Sequence, residues 1–374
     1  MEDFHIDIIN QLKKFRAEKI DPFMEKDDHE GIFRKEIVTD LGTLGLAGIT
    51  VSSQYGGAEL GVYEQCLIFK EIAKSSVPYA VTMSVSAMVQ SIIQDWGNET
   101  QKQKYLPELT SGQEIGSFSL SESGAGSDAA SLKCSASKTE GGYLLNGSKL
   151  WVTTGGESKT YIIFARTDDN KVSAFIVQKG AKGFSFGKKE SKMGWRTSPT
   201  RELIFENCFI PDEDLISEQG NGLKIAFSGL DKGRLSIAAI SVGLSERASE
   251  EALNYSLERQ QFGKPIFDFQ GLQFMLADMF TETQASEDLV FNAAEMFDQG
   301  QNVHILSSMA KLKASDVAMK VTTDAVQIFG GVGYTTEFPV ERYMRDAKVL
   351  QIVEGTNQIQ RVVIARELRK RLGK

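Results

Sequence analysis

Cysteine and histidine are scarce in this 374-residue chain, with three of each. Cys66, Cys134 and Cys208 are too few and too far apart for a disulfide framework or a zinc-ligand spacing. His5, His29 and His304 leave little scope for histidine-based metal or triad chemistry, so no metal is expected and a reducing cytoplasm is the natural compartment. Positive charge is also in deficit, with 42 lysines and arginines against 50 acidic residues and a net charge of -8. That balance argues against nonspecific binding to nucleic acid or an anionic membrane, while leaving small anionic ligands open. The first twenty residues have no apolar run and include Glu2 and Asp3, unlike a secretory signal or a transit peptide. From Ser75 to Gln94 no charge occurs, but Pro78, Thr82, Ser84, Gln90 and Ser91 interrupt the apolar residues. A membrane span needs about 20 predominantly apolar residues. A buried helix, or the wall of an apolar pocket, is expected there instead.

What the chain does contain is an ordinary globular composition, 41% hydrophobic and 25% charged, at a length that suits two or three domains. Residues 1–114 read as helical, with apolar residues at helical period through Ile6, Ile9 and Leu12, through Phe33, Ile37 and Leu41, and through Leu67, Ile68 and Ile72. Over 115–220 the pattern becomes that of strands, in runs at Tyr143–Val152, Thr160–Arg166, Lys171–Gln178 and Arg201–Ile210. Strands without intervening helical patterns predict an antiparallel barrel or sandwich. In 221–374 helices return at Leu223–Gln260, Phe269–Gln299, His304–Ile328 and Glu354–Leu372, the pattern of a four-helix bundle. The fold class expected is therefore α+β and multidomain, a helical domain, a β domain and a helical bundle in that order.

Two short motifs fail their context. Gly124-Ala125-Gly126-Ser127-Asp128-Ala129 fits a dinucleotide-binding turn, which needs a helix after it and an acidic residue about 20 positions on. Here β alternation follows, and Glu140 comes too early. Gly183-Phe184-Ser185-Phe186-Gly187 fits a nucleophile elbow, but it lies in a β region with only His304 downstream, so a plain strand is expected.

Near the C-terminus, Gln351-Ile352-Val353-Glu354-Gly355-Thr356-Asn357-Gln358 holds one carboxylate among apolar and uncharged residues. Apolar neighbours make a carboxylate harder to ionise and a better base. A glutamate that favours the start of the last helix through the helix dipole is the other reading.

Several motifs occur in one order: Ser121-Glu122-Ser123-Gly124-Ala125-Gly126-Ser127-Asp128, Leu150-Trp151-Val152-Thr153-Thr154-Gly155-Gly156, Glu258-Arg259-Gln260-Gln261-Phe262-Gly263, Asp324-Ala325-Val326-Gln327-Ile328-Phe329-Gly330-Gly331, and Glu354-Gly355-Thr356. Over nearly its whole length the chain resembles the acyl-CoA dehydrogenase family of the short-, medium- or branched-chain type. The resemblance implies an FAD enzyme that converts an acyl-CoA to its trans-2-enoyl form, with Glu354 as base and hydride passing to flavin N5. It implies flavin contacts at Ser121, Trp151 and Thr153, where otherwise a buried core tryptophan is the default for Trp151. The same resemblance implies contacts to the ADP portion at Arg259, Phe262, Gln327, Gly331, Thr356 and Gln358, although Arg259 alone reads as a solvated helix charge. Substrate contacts are implied at Ser127, Asp231, Arg234, Val353 and Gly355, with the Glu354 amide holding the thioester carbonyl. Gly233 occupies the position where some members carry their base instead. Val353 stands where tyrosine is common, which predicts room for a branched acyl group, and Ser123 stands where proline is common. Implied partners are an electron-transfer flavoprotein and further copies of the chain in a dimer or tetramer. A desaturase of carrier-bound thioesters and a binding protein of the same fold are the rival expectations.

Overall fold

Helix α5 (Val77–Trp96) is the uncharged stretch that could be mistaken for a membrane span. It is a buried helix in the folded chain. Ser76 caps it by accepting a hydrogen bond from Tyr79 N, and Pro78 sits in the first turn, where its missing N–H costs nothing. Apolar and small polar side chains are buried nearly all round it, and among the described residues no helix is long and apolar enough to cross a membrane. The chain is a computed structural model that describes residues 3–371. The other N-terminal helices are α1 (Asp3–Lys19), α2 (Met24–Glu30), α3 (Lys35–Thr43), α4 (Val62–Ala73) and α6 (Glu99–Thr110). In α6 the Asn98 side chain and Gln101 cap each other's backbone N–H groups.

The middle of the chain forms strands β1 (Gly116–Ser119), β2 (Ser135–Thr139), β3 (Gly142–Thr153), β4 (Thr160–Thr167), β5 (Val172–Gln178), β6 (Phe184–Lys189), β7 (Thr200–Pro211) and β8 (Leu215–Ile216). They make one sheet in the order β6-β7-β3-β2-β4-β5-β8, with β1 also on β4. This corrects the expected antiparallel barrel or sandwich: the sheet is open, and it is mixed. Both β1 and β2 run parallel to β4, at Gly116–Ser119 against Thr160–Ile163 and at Ser135–Ala136 against Arg166–Thr167. They occupy successive lengths of one edge of β4, because the chain leaves that edge after β1 and rejoins it at β2. The excursion between them carries the Gly124–Ala129 motif, which runs into a short turn (Ala129–Ser131) and then into β2. No α-helix follows, so the dinucleotide-binding pattern is empty of its structure. The Gly183–Gly187 motif lies along β6, paired to β7, as a plain strand.

After the sheet come α7 (Gly222–Glu258), a hairpin of β9 (Gln260–Gln261) and β10 (Lys264–Pro265), then α8 (Gln270–Asp298), α9 (His304–Phe329), α10 (Val340–Leu350) and α11 (Asn357–Arg371). The expected last helix begins at Asn357 rather than Glu354, and its predicted end, Leu372, lies outside the described residues. Helix α10 was not expected. Its charges hide an apolar face of Val340, Tyr343, Ala347 and Leu350.

Helix α7 is packed against α4, α5, α8 and α9, which ties the N-terminal helices to the C-terminal ones. At Gly243 a Cβ would lie 2.1 Å from the backbone oxygen of Lys70 on α4, and backbone cannot yield as a side chain could. Gly243→Ala is expected to lower stability by about 1–3 kcal/mol, as overpacking does, and urea denaturation measures it. A second tie joins all three parts of the chain. Trp195, between β6 and β7, donates its backbone N–H to Asp346 Oδ1 at 2.6 Å and its indole N–H to Asp346 O at 3.1 Å. Next door, Arg345 reaches Asp28 of α2 at 2.6 Å. Burial pushes the Asp346 carboxyl up to about 6 against the pull of the Trp195 amide.

Candidate active site

Glu354 lies in the six-residue connection between α10 and α11, in a left-handed conformation with φ +55°, and Gly355 follows at φ +86°. Two successive left-handed residues need support, since a non-glycine residue there costs about 1 kcal/mol or more. Gln360 of α11 supplies part of it, donating to Glu354 O at 3.0 Å and to Gly355 O at 2.9 Å. A Cβ on Gly355 would lie 2.8 Å from that same Gln360 nitrogen, so glycine suits the position twice over. The connection is also closed on itself by Asn357 N donating to Gln351 O at 2.9 Å. Glu354 thus precedes the last helix by three residues, and the helix-start reading of it does not hold. Among the described residues no backbone carbonyl engages the Glu354 N–H.

The Glu354 residue keeps some surface, but its Oε2 is sealed from solvent and has no hydrogen-bond partner among the described residues. Helix α7 passes beside it, where a Cβ on Gly233 would lie 2.8 Å from Oε2 and 2.6 Å from Met88 Cε. Arg234, beside Gly233, is buried and donates to Asp231 at 2.7 Å. Burial drives the Glu354 carboxyl up, Arg234 and Lys311 draw it back, and it comes to about 7. A carboxylate in that range is poised to accept a proton at neutral pH.

The residues expected at the flavin meet at the C-terminal end of β3. Leu150 N donates to Ser121 O at 2.9 Å, which sets Ser121 beside the Trp151–Thr153 run. Trp151 is 64% exposed and left-handed, with φ +60°, so the core-tryptophan default fails. An indole held in a strained backbone with its ring uncovered is suited to lie against a flat aromatic group, and the residues present fit an isoalloxazine in that sense. Ser123 brings no proline rigidity to the loop, but its neighbour does the stiffening. Glu122 accepts hydrogen bonds from Lys133 N at 2.6 Å, Cys134 N at 2.9 Å and the fully buried Lys149 Nζ at 2.7 Å.

The other expected residues fall in two groups. Asp231, paired with Arg234 and with His304 Nδ1 at 3.0 Å, sits on the α7 side of Glu354, whereas Ser127 is exposed on the loop after β1. Arg259, Phe262, Gln327 and Gly331 are exposed at the opposite end of the helices, where Tyr255 stacks on Phe329. Gln327 is about 24 Å along α9 from Lys311, at 1.5 Å per residue, so this group does not meet Glu354 within one chain. Thr356 takes the Ile359 N–H on its hydroxyl at 3.3 Å, and Gln358 is exposed. Sequence reasoning missed Lys311, Asn357 and Gln360. For Lys311 a signal existed, since it is a charge on the face of α9 that also carries Ala314 and Ala318.

Fold and site together define a three-part enzyme scaffold, helices then open sheet then helices, with one candidate base of near-neutral pKa. Three family models cover it in sequence: the acyl-CoA dehydrogenase N-terminal domain over residues 2–113, the middle domain over 117–208 and the C-terminal domain over 220–369. An acyl-CoA dehydrogenase of Bacillus subtilis is 46% identical over 365 residues, 96% of each chain. The structure of butyryl-CoA dehydrogenase from Megasphaera elsdenii is 41% identical and superposes with a TM-score of 0.96 over 98% of both chains. A chain from a structural study of the electron transferring flavoprotein of Acidaminococcus fermentans matches as well, at 43% identity and a TM-score of 0.96 over 98% of both. The chain belongs to the acyl-CoA dehydrogenase family. It is an FAD-dependent oxidoreductase of acyl-CoA thioesters.

Proposed function

We propose that the chain oxidises a short or branched acyl-CoA between Cα and Cβ, with Glu354 as the base. The observation that carries the reading is Glu354 itself: a sealed, unpartnered Oε2 titrating near 7, on a residue whose own N–H is free of backbone partners. A proton beside a thioester carbonyl is a poor acid, so its removal needs a base and a donor for the oxygen charge that develops. Glu354 supplies both, its carboxylate taking the Cα proton while its amide N–H holds the carbonyl oxygen. Gly233 leaves the space that the carboxylate uses. Arg234 and Lys311 favour the ionised form before the proton arrives. Ser121, Trp151 and Thr153 would hold the FAD, which would supply the acceptor for the hydride that leaves Cβ. Adding a panel of acyl-CoAs to the anaerobic holoenzyme and following loss of flavin absorbance tests the reaction; no bleaching with any short or branched acyl-CoA refutes it. A carrier-bound thioester is the rival handle, separated by offering the same acyl group on CoA and on a carrier's phosphopantetheine.

Substrate choice is assigned to Val353, which is half-buried against the core and smaller than the tyrosine common at that place. Isobutyryl-CoA should be turned over faster than butyryl-CoA, and an equal or higher rate on butyryl-CoA would count against the role. Val353→Tyr is expected to lower kcat/KM for the branched substrate about tenfold more than for the straight one, the size of effect that one methyl group has in a tight pocket. Equal losses on both would remove Val353 from that role.

The exposed set at Arg259, Phe262, Gln327 and Gly331, with Phe262 93% uncovered, supports an assembly of two or four copies in which it meets the ADP portion of a neighbour's FAD. Thr356 and Gln358 complete that contact, and Ser127, Asp231 and Arg234 serve the CoA side. Helices α7, α8, α9 and α11 are read as a four-helix bundle, and the three parts as domains at 1–114, 115–220 and 221–374. An electron-transfer flavoprotein is the proposed acceptor, in a cytoplasm whose reducing conditions suit the three free, buried cysteines.

A further inference from the structure

Lysines on α9 fall into two kinds. Lys313 and Lys320 are partly exposed and pair with Glu282 and Asp324. Lys311 has no exposed surface at all, and Ala310, Ala314 and Ala318 beside it are buried too. Taking an ammonium out of water costs several kcal/mol, so its partners decide what the position is for. One lies in the base's own connection and the other opens α11 directly after it: Nζ donates to Gly355 O at 3.1 Å and to Asn357 Oδ1 at 2.7 Å. Asn357 is fixed in turn, its amide nitrogen donating to Ser315 Oγ at 2.9 Å and Asp316 Oδ1 at 2.7 Å. Asp316 also takes Gln351 Nε2 at 2.7 Å and Arg361 Nη2 at 2.9 Å. Lys311, Ser315 and Asp316 therefore form one face of α9 that grips both ends of the segment 351–357, with Glu354 between them.

We infer that Lys311 is the positioning residue of the base: by holding Gly355 O and Asn357 Oδ1 it keeps Glu354 in its left-handed turn and sets a buried positive charge near the carboxylate. The inference rests on the reading of Glu354 as base. The charged groups that bear on Lys311 are Glu354 in the connection, Arg234 on α7 and Asp316 on α9 itself. Burial pushes Lys311 down, Glu354 and Asp316 pull it up, and it comes to about 7, in the range of Glu354. Two such neighbours titrate as a pair, so loss of one charge changes the other's ionisation. Removing the lysine's charge raises the pH at which Glu354 becomes a base.

The test uses the FAD-loaded enzyme with butyryl-CoA and three variants, Lys311→Met, Lys311→Gln and Glu354→Gln. Lys311→Met is expected to keep its flavin and lose about a hundredfold in kcat with KM little changed, the loss that a small misplacement of a reacting group produces. Lys311→Gln retains a donor for Gly355 O and should recover about tenfold of that loss. In both, the alkaline-rising limb of kcat/KM should move up by about half a pH unit or more. If Glu354→Gln is inactive while Lys311→Met keeps kcat within about threefold and its limb unmoved, Lys311 only fills space and the inference falls. An active Glu354→Gln enzyme overturns the base reading instead, and the positioning role with it. Should Lys311→Met not fold, the limb in Lys311→Gln decides alone, and an unmoved limb overturns the role.

Discussion

Replacing Glu354 by glutamine is expected to leave a folded, yellow protein whose flavin no longer bleaches with acyl-CoA. Glutamine matches glutamate in shape, and the affected Oε2 has no hydrogen-bond partner to lose. What goes is the ability to take a proton. General base catalysis contributes about 10^2 to 10^4 in rate, and no other carboxylate has been placed where it could substitute, so the fall in the reductive rate should reach the upper end, about 10^4. Stopped-flow reduction under anaerobic conditions measures it, and a variant that reduces at near the parent rate removes Glu354 from the mechanism. The parent enzyme carries a companion signature. Because the folded pKa is raised to about 7, Glu354 is protonated and idle below that value, and kcat/KM should climb with pH through about 7. Glutamine abolishes the limb along with the activity.

Glu122→Gln should have the largest effect on cofactor retention. Three donors converge on the Glu122 carboxylate: the Lys133 and Cys134 amides and the Lys149 ammonium. An amide replaces one acceptor oxygen with a donor and removes the charge that accompanies Lys149 into the interior. Breaking a buried pair from one side leaves the other charge uncompensated, at a cost of about 3 kcal/mol or more. Urea denaturation should register that loss, and dialysis should strip flavin from the variant faster than from the parent, since Ser121 belongs to the same loop. The double replacement Glu122→Gln with Lys149→Met should regain stability without regaining flavin affinity, because it removes the stranded charge but not the disorder of the loop. Unchanged flavin retention in Glu122→Gln would separate the Glu122 network from cofactor binding.

The helices were legible where an apolar stripe repeats, as in α1, α3 and α4, and the strands where β-branched residues crowd, as in β4 and β5. Pairing was not. Whether β1 and β2 run parallel or antiparallel to β4 depends on how far the 120–134 excursion reaches before the chain returns, which local residue preferences do not encode. Helix α10 was hidden because Glu341, Arg342, Arg345, Asp346 and Lys348 outnumber the apolar residues on its inner face. At the site, Glu354 was legible through its apolar company, but the hydrogen bonds that hold its turn come from α9 and α11, 43 positions before it in the case of Lys311 and six after it in the case of Gln360. Such partners appear only when the chain is folded. Lys311 was the exception that left a trace, as a charge on an otherwise buried face.

The closeness of Gly233 to Glu354 bears on how such an enzyme can change by mutation. Any side chain added at 233 enters the volume of the Glu354 carboxylate, since even a Cβ would lie 2.8 Å from Oε2. A carboxylate at 233 would therefore require the Glu354 carboxylate and Met88 to move aside. The two positions are thus coupled through one volume, and the effect of a replacement at 233 should not add to that of a replacement at 354.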